Sequence, residues 1–314
     1  MRVLFIGNSY TYFNDLCRLV SELSVSAHET RPVEAEMEVS GGATLKSHWD
    51  GGKALKALRR GGWDYVVLQE QSTLEGSTVM DGIPQVNDPA TFKSYARLFD
   101  VEIKKADAKT VFFLTWARQN DPNSLRALVD AYVSIAQELG AIVAPVGIAW
   151  RNALQRDPNL ELFQRDKAHP TAIGSYLTAC VFYATFYGKT PEGLTARIWG
   201  YPIDIEGNVL HNEVEGLFPS QIKVDLVNLD KSQATLLQRV AWQTVQAART
   251  SSSHETPHIV PQNAVQCTPN QAFAVITAAC FRRSQHRRWD GNQLEPPCTD
   301  PYALVIGAKH PALH

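Results

Sequence analysis

The chain has 314 residues, of which 44% are hydrophobic and 20% are charged, so it can bury the core of one large α/β domain or of two small ones. Its formal net charge is −2, and its lysines and arginines are scattered, which argues against nucleic acid or another polyanion as a partner. No apolar run approaches the roughly 20 residues that a membrane span requires.

The N-terminus and the cysteines suggest where the protein works. Met1 leads directly into an apolar run and not into a secretory signal, so we expect a cytoplasmic protein. The five cysteines are odd in number and form no CxxC pair, and Cys17 and Cys180 lie in apolar helical patterns. We therefore expect neither a metal site nor a disulfide framework, and no cofactor.

The first predicted elements place one serine at a sheet edge. Val3 to Ile6 is a continuous apolar run typical of a strand buried on both faces, and Gly7-Asn8-Ser9 then breaks it. Helical spacing begins at Asp15. A strand, a sharp turn and a helix bring Ser9 to the carboxyl edge of a sheet, where ligands bind in open α/β folds. At this point Ser9 is either a helix cap or a nucleophile.

Strands and helices alternate along the next 180 residues. Further strands are predicted at residues 33–39 (at a sheet edge), 63–68, 109–115 and 141–148, and helices at about 45–60, 91–106, 124–139 and 171–187. This alternation predicts a three-layer α/β/α sandwich around a flavodoxin-like, five-stranded parallel sheet. Polar, turn-rich segments should meet at one rim of the sheet, at residues 7–10, 40–44, 69–73, 115–120 and 166–170.

The remaining segments are less regular. Residues 74–89 are rich in Gly and Pro and predict a long loop over the rim, and residues 194–227 suggest short strands and turns that could form a flap. A helix over 233–248 closes the predicted catalytic domain, residues 1–249. Residues 250–314 differ in composition, being rich in Ser, Pro, Gln and Arg. They form an extension to which we assign no role, either a small appendage or a mostly disordered tail.

Asp166 and His169 are the strongest catalytic candidates besides Ser9. They are three residues apart and directly precede Pro170 and a helix. A carboxylate at that spacing can reach the Nδ1–H of the imidazole, which leaves Nε2 free to take a proton from a serine, as in a serine hydrolase triad. The alternative is a surface Asp and a His near a helix N-terminus.

In combination, Gly7-Asn-Ser-Tyr-Thr11 and Asp166-x-x-His169 resemble the SGNH (GDSL-type) hydrolase superfamily. In that family the nucleophilic Ser follows the first strand, and Asp-x-x-His precedes the last helix. The resemblance covers about residues 1–190 and extends to about 248 with the closing helix. Asn8 departs from the commoner Asp before the nucleophile. The resemblance implies that Ser9, His169 and Asp166 form a catalytic triad.

The resemblance also implies an oxyanion hole with three donors. The first two are the backbone N–H groups of Ser9 and of Gly42, which belongs to the segment Ser40-Gly-Gly-Ala-Thr44. The family's third donor is an Asn in Gly-x-Asn-Asp, but this chain has Gln69-Glu-Gln-Ser72 there. Gln71 falls nearest the expected position, and Gln69 and Asn120 are the alternatives.

Three other rim residues are weaker candidates. Trp116 could line a substrate pocket or belong to the core, and we expect it to contact the substrate. Arg118 could bind a substrate anion or pair with a nearby carboxylate. Glu70 is interpreted as a charge on the rim.

These patterns predict a serine esterase that hydrolyses small-molecule, short-chain acyl (acetyl or butyryl) esters through an acyl-enzyme. Removal of acetyl groups from a carbohydrate is an alternative within the same class. A non-catalytic, flavodoxin-like ligand-binding domain is an alternative of another class, but the chain has no GxxxxGK[ST] and no GxGxxG after a strand.

Overall fold

The computed structural model describes residues 1–74, 79–80, 82–200 and 223–253. The chain divides into two compact units, Met1–His258 and Ile259–His314, and all of the described residues belong to the first unit. Most of the predicted extension at 250–314 and the middle of the predicted flap, residues 201–222, lie outside the described residues, so both interpretations stay predictions.

A five-stranded, all-parallel sheet is the centre of the described unit. The strands of the described residues, in chain order and including four that lie outside this sheet, are β1 (Arg2–Gly7), β2 (Glu34–Val39), β3 (Tyr65–Leu68), β4 (Val79–Met80), β5 (Ile83–Pro84), β6 (Lys109–Phe113), β7 (Ile142–Ala144), β8 (Arg197–Gly200) and β9 (Val224–Asn228). The central sheet has the order β2-β1-β3-β6-β7, with β2 at one edge as predicted. Its carboxyl ends form the rim on which the predicted polar segments lie.

Helices cover both faces of this sheet. They are α1 (Ser9–Tyr12), α2 (Leu16–Ser26), α3 (Leu45–Gly51), α4 (Lys53–Leu58), α5 (Ala90–Lys105), α6 (Leu125–Leu139), α7 (Val146–Arg156), α8 (Ala172–Tyr187) and α9 (Lys231–Ser253). The core on one face contains residues of α2, α7, α8 and α9, and the core on the other face contains residues of α3, α4, α5 and α6. The predicted three-layer α/β/α sandwich is therefore confirmed.

Strand β1 shows why its sequence is continuously apolar. Val3 and Phe5 belong to the core on the α2/α8 face, whereas Leu4 and Ile6 belong to the core on the opposite face. Successive side chains of a strand point to opposite faces, so a strand covered on both sides needs apolar residues at every position. All four side chains have no exposed surface.

Two predicted elements differ from the structure. The single helix expected over 45–60 is two helices, because Gly52 adopts a left-handed φ of 72° between α3 and α4. The strand expected over 141–148 ends at Ala144, and α7 begins at Val146 directly after Pro145. A short apolar run does not distinguish a strand end from a helix start, so periodicity alone missed this boundary.

Two segments outside the central sheet carry small antiparallel pairs. In the predicted loop at 74–89, β4 pairs with β5, and β8 pairs with β9 at the two ends of the predicted flap. Within the described residues, we find no helix with the length and apolar character needed to cross a bilayer.

Candidate active site

Ser9 lies at the carboxyl end of β1, where the sequence predicted it. Asn8 caps α1, and its side chain makes two hydrogen bonds: Oδ1 accepts from the Tyr10 backbone N–H at 3.1 Å, and Nδ2 donates to the Ala43 carbonyl at 2.9 Å. Ser9 is the first residue of α1 and is 8% exposed. Asn8 thus fixes the Ser9 turn and ties it to the segment that contains Gly42.

Gln69 supports the same turn from beneath. Its Oε1 accepts hydrogen bonds from the Asn8 backbone N–H and from Thr11 Oγ1, both at 2.9 Å, and its Nε2 donates to the Glu70 carbonyl at 2.7 Å. A Cβ on Gly7 would lie 2.5 Å from both Gln69 Oε1 and Thr11 Oγ1, so only glycine fits there. The Gln69 side chain has no exposed surface and supports the turn with both ends of its amide, so Gln71 remains the better candidate for the third donor.

The loop before α8 holds Asp166 against His169. Lys167 has a left-handed φ of 62°, which turns the chain back on itself. Asp166 Oδ1 accepts hydrogen bonds from the backbone N–H groups of Ala168 and His169, both at 3.0 Å, and Asp166 Oδ2 is hydrogen-bonded to His169 Nδ1. The carboxylate therefore fixes both the loop and the orientation of the imidazole.

The charge of Asp166 determines which ring nitrogen of His169 carries the proton. Partial burial acts to raise the pKa of Asp166, but the hydrogen bonds from the His169 side chain and from two backbone N–H groups outweigh it and lower the pKa to about 2. An ionised carboxylate can only accept, so His169 Nδ1 carries the proton. The lone pair of Nε2 is then free to accept a hydrogen bond.

The free Nε2 of His169 faces Ser9. The distance between His169 Nε2 and Ser9 Oγ is 2.9 Å, although the two residues are 160 positions apart in the chain. The side chains of His169 and Asp166 are 29% and 47% exposed, so the group is open to solvent. The structure thus joins Ser9, His169 and Asp166 in one chain of hydrogen bonds.

Several residues that shape this group were not identified from the sequence. The Phe13 ring stacks on the His169 imidazole with centroids 4.4 Å apart, and the Tyr10 ring meets it edge-on at 5.7 Å. Asn14 Nδ2 donates to the Pro170 carbonyl at 3.2 Å and to Ser175 Oγ at 2.9 Å. Asn14 has a left-handed φ of 55°. In the sequence, the sign of this conformation was an Asn directly after Tyr12-Phe13, because Asn tolerates left-handed backbone better than most residues.

Three predicted oxyanion donors have free N–H groups. Within the described residues, the backbone N–H groups of Ser9 and Gly42 and the side-chain Nε2 of Gln71 donate to no protein acceptor. Gly42 has a left-handed φ of 67°, which favours glycine there. Gln71 Oε1 accepts from the backbone N–H and the hydroxyl of Thr73, both at 2.6 Å, which orients the amide. Asn120, the other alternative to Gln71, is exposed.

Trp116 and Glu70 lie differently from what the sequence suggested. Trp116 is only 1% exposed, and its Nε1 donates to the Ala168 carbonyl at 2.9 Å. It therefore has no open face for a substrate and instead supports the loop that carries His169. Glu70 has no exposed surface and accepts hydrogen bonds from the backbone N–H groups of Leu45 and Gln71, so it is a buried bracing carboxylate and not a rim charge.

Arg118 is half-buried at the same rim. Its Nη2 lies 3.5 Å from Ser72 Oγ, and it forms no ion pair with any carboxylate in the described residues. The described residues also contain no group of three or more His, Cys, Asp or Glu side chains that could hold a metal ion.

No protein-family model and no curated protein matches the sequence. A solved structure of a DUF4886 family protein from Bacteroides uniformis is similar, with a TM-score of 0.54 and 16% identity, over 79% of this chain and 95% of that one. A proposed SGNH hydrolase from Slackia heliotrinireducens is 27% identical over 59% of this chain and 98% of its own, with a TM-score of 0.49.

A third similar structure is an acetyl xylan esterase, 14% identical over 59% of this chain and 100% of its own, with a TM-score of 0.49. The parallel sheet of the present chain carries Ser9 after its first strand and Asp166-x-x-His169 before α8. The chain shares the fold of the DUF4886 family protein. In this fold the described site occupies the carboxyl rim of β1, β3 and β6, and its third predicted donor is a glutamine.

Proposed function

We propose that the chain is a carboxylic ester hydrolase that uses Ser9 as its nucleophile. The observation that carries this proposal is the 2.9 Å contact between Ser9 Oγ and His169 Nε2, with the ionised Asp166 on the other ring nitrogen. A serine hydroxyl is a weak nucleophile on its own, and an adjacent base oriented by a third group is what activates it.

Acylation begins when Ser9 Oγ attacks the ester carbonyl carbon and His169 Nε2 takes the hydroxyl proton. The imidazolium that forms is stabilised by the Asp166 carboxylate. The tetrahedral intermediate then collapses, the ester C–O bond breaks, and His169 returns the proton to the departing alcohol oxygen. The product of this half-reaction is an acyl ester of Ser9 and a free alcohol.

Deacylation repeats the same proton transfers with water. His169 Nε2 takes a proton from a water molecule, the hydroxide attacks the acyl carbonyl, and the second intermediate collapses to a carboxylic acid. His169 gives its proton back to Ser9 Oγ, which restores the free enzyme. No metal or cofactor takes part in this scheme.

Three free donors are available to stabilise the oxyanion in both intermediates. They are the backbone N–H groups of Ser9 and Gly42 and the side-chain Nε2 of Gln71. Thr73 orients this amide by donating two hydrogen bonds to Gln71 Oε1. A single oxyanion donor is worth about 10²- to 10³-fold in rate, because it acts where negative charge develops.

The substrates that we propose are esters with short acyl groups, such as acetate and butyrate. Buried rings fill the space under the rim, since Tyr10 stacks on Trp116 at 4.4 Å and Trp116 stacks on Trp150 at 3.8 Å. A short acyl group needs no deep tunnel in that space. Acetate esters of a carbohydrate are the alternative, and a panel of p-nitrophenyl esters of rising chain length beside acetylated xylose separates the two.

The test of the reaction is the Ser9→Ala variant. We expect it to fold normally and to lose p-nitrophenyl acetate hydrolysis by about 10³-fold or more, because the nucleophile is gone but binding and the hole remain. Circular dichroism spectra of both proteins control for folding. Equal turnover by the folded variant would overturn the proposal, and absence of turnover in the unmodified protein would favour a ligand-binding domain.

A further inference from the structure

Among the described residues, two buried polar atoms near the triad have no partner within hydrogen-bond distance and angle. They are the hydroxyl oxygen of Tyr10 and the Nε of Arg118, and both are buried among the described residues. Tyr10 as a whole is 4% exposed. An unsatisfied buried donor is costly, so such groups in native proteins usually have a function or bind something.

Both residues belong to the rim that carries the catalytic group, since Tyr10 follows Ser9 and Arg118 precedes Gln119, whose backbone N–H donates to the Lys167 carbonyl at 2.9 Å. The Tyr10 ring meets His169 edge-on at 5.7 Å. Burial raises the pKa of Tyr10, whereas the Ser72 hydroxyl and the Arg118 charge act to lower it. Arg118 also approaches Ser72 Oγ at 3.5 Å. The three side chains therefore form one polar group at the rim, here called the Arg118 group.

The Arg118 group carries a positive charge that no carboxylate of the described residues pairs with. Arg118 pairs with no carboxylate in the described residues, and Asp166, the acidic side chain that acts on Tyr10, is already committed to His169. The buried Glu70 accepts hydrogen bonds from the backbone of Leu45 and Gln71. A guanidinium with free N–H groups next to two hydroxyls offers the donors that a planar carboxylate prefers.

We propose that the Arg118 group binds a carboxylate of the substrate, so that the preferred substrates are esters that carry a carboxylate close to the scissile carbonyl. This inference rests on the proposed esterase function and narrows its substrate class. Arg118 is then a specificity residue: it holds the anionic part of the substrate while Ser9 attacks the ester.

The test compares two esters that differ in charge. The esters are 3-acetoxybenzoate, which is anionic, and 3-acetoxybenzamide, which is neutral and of nearly the same shape. For Arg118→Gln we expect kcat/KM to fall about 10- to 100-fold on the anionic ester and by a much smaller factor on the neutral one. Intrinsic reactivity cancels because each ester is compared with itself across the two proteins.

The matched control is Arg126→Gln. Arg126 is an exposed arginine on α6 that pairs with Asp130 at 3.9 Å, so its loss changes the net charge equally but leaves the rim intact. It should leave the rate ratio of the two esters unchanged. If Arg118→Gln lowers kcat/KM by the same factor on both esters, so that their ratio is unchanged, the inference is overturned. If Arg118→Gln does not fold, Arg118→Lys replaces it and should reduce the ratio less, because the charge remains without the planar fork.

A binding measurement separates this inference from the proposed function. Calorimetry with 3-hydroxybenzoate requires no turnover, and we expect Kd to rise about 10-fold or more in Arg118→Gln, with 3-hydroxybenzamide binding weakly to both proteins. If neither ester is hydrolysed but this difference is seen, the esterase proposal fails and the carboxylate site stands. If both esters are hydrolysed and carboxylate binding is unaffected, the esterase proposal stands and the Arg118 group has no such role.

Discussion

His169 is held on three sides by contacts that differ in kind. Asp166 bonds its Nδ1, Phe13 stacks on its ring, and Tyr10 meets the ring edge-on. A general base works best when its ring is held in line with the proton that it removes, because misplacement by an ångström is costly. In the proposed mechanism, the imidazolium that forms during attack is also stabilised by the face of the Phe13 ring.

Phe13→Leu is expected to lower kcat by about two- to tenfold with little change in KM. The stacked pair is worth about 0.5–1.5 kcal/mol, and leucine covers the imidazole without holding its plane. Steady-state kinetics on p-nitrophenyl acetate measure the effect.

The control is Phe186→Leu, which removes a half-buried ring near the far end of α8, where it contacts Tyr65 and Phe182. This variant should lose stability and keep its kcat. An unchanged kcat in Phe13→Leu, or an equal loss in Phe186→Leu, would show that the stack does not position the base.

A stack of three aromatic rings joins the helices and strands that lie beneath the site. Tyr10 lies on α1 after β1, Trp116 lies in the segment after β6 and Trp150 lies on α7, and their rings form one stack with centroid distances of 4.4 and 3.8 Å. Trp116 also donates to the Ala168 carbonyl, so the stack connects α1, the segment after β6, α7 and the loop that carries the base.

Much of the element order followed from periodicity, and the errors have local causes. The buried run of β1 and the spacing of α8 predicted their elements because a strand or helix surrounded by core is apolar throughout. The break at Gly52 and the start of α7 after Pro145 were missed, since they depend on one φ angle and on tertiary contacts.

The residues of the site likewise fall into some that the sequence predicted and some that it missed. The sequence predicted that Ser9, Asp166 and His169 lie together, because a serine hydrolase triad imposes a motif on the sequence. Phe13 and Gln69 were missed in their observed roles because a stacked ring and a buried amide leave no motif, only a contact that the fold creates.

Gly147→Ala is expected to destabilise the protein by about 3 kcal/mol or more. An added Cβ would lie 2.1 Å from the Thr115 carbonyl oxygen, so α7 would have to move away from the exit of β6. Urea denaturation followed by tryptophan fluorescence measures the free energy of unfolding.

Gly51→Ala is the matched control, because a Cβ there meets nothing within 4 Å and the residue lies at the end of α3. It should change the free energy of unfolding by less than about 0.5 kcal/mol. Equal stability of Gly147→Ala and Gly51→Ala would contradict the close packing of α7 on β6.

At the scale of the whole molecule, one sheet makes neighbours of distant residues. Ser9 follows β1, and the Asp166–His169 loop follows α7 and leads into α8, which packs on the same face as α2. Five parallel strands point all of their carboxyl ends at one rim, so residues 160 positions apart meet there. The described site lies wholly within Met1–His258, and the prediction for residues 250–314 stays open.

The most direct measurement is covalent labelling of the folded protein with a fluorophosphonate, followed by peptide mass spectrometry. A hydroxyl activated by an imidazole should react, so we predict one adduct on Ser9 and at least a hundredfold slower labelling in His169→Ala. Ser72, a buried serine at the same rim, serves as the internal control and should stay unmodified. An adduct on another serine, or an unlabelled Ser9 in folded protein, would contradict the activation of Ser9 by His169.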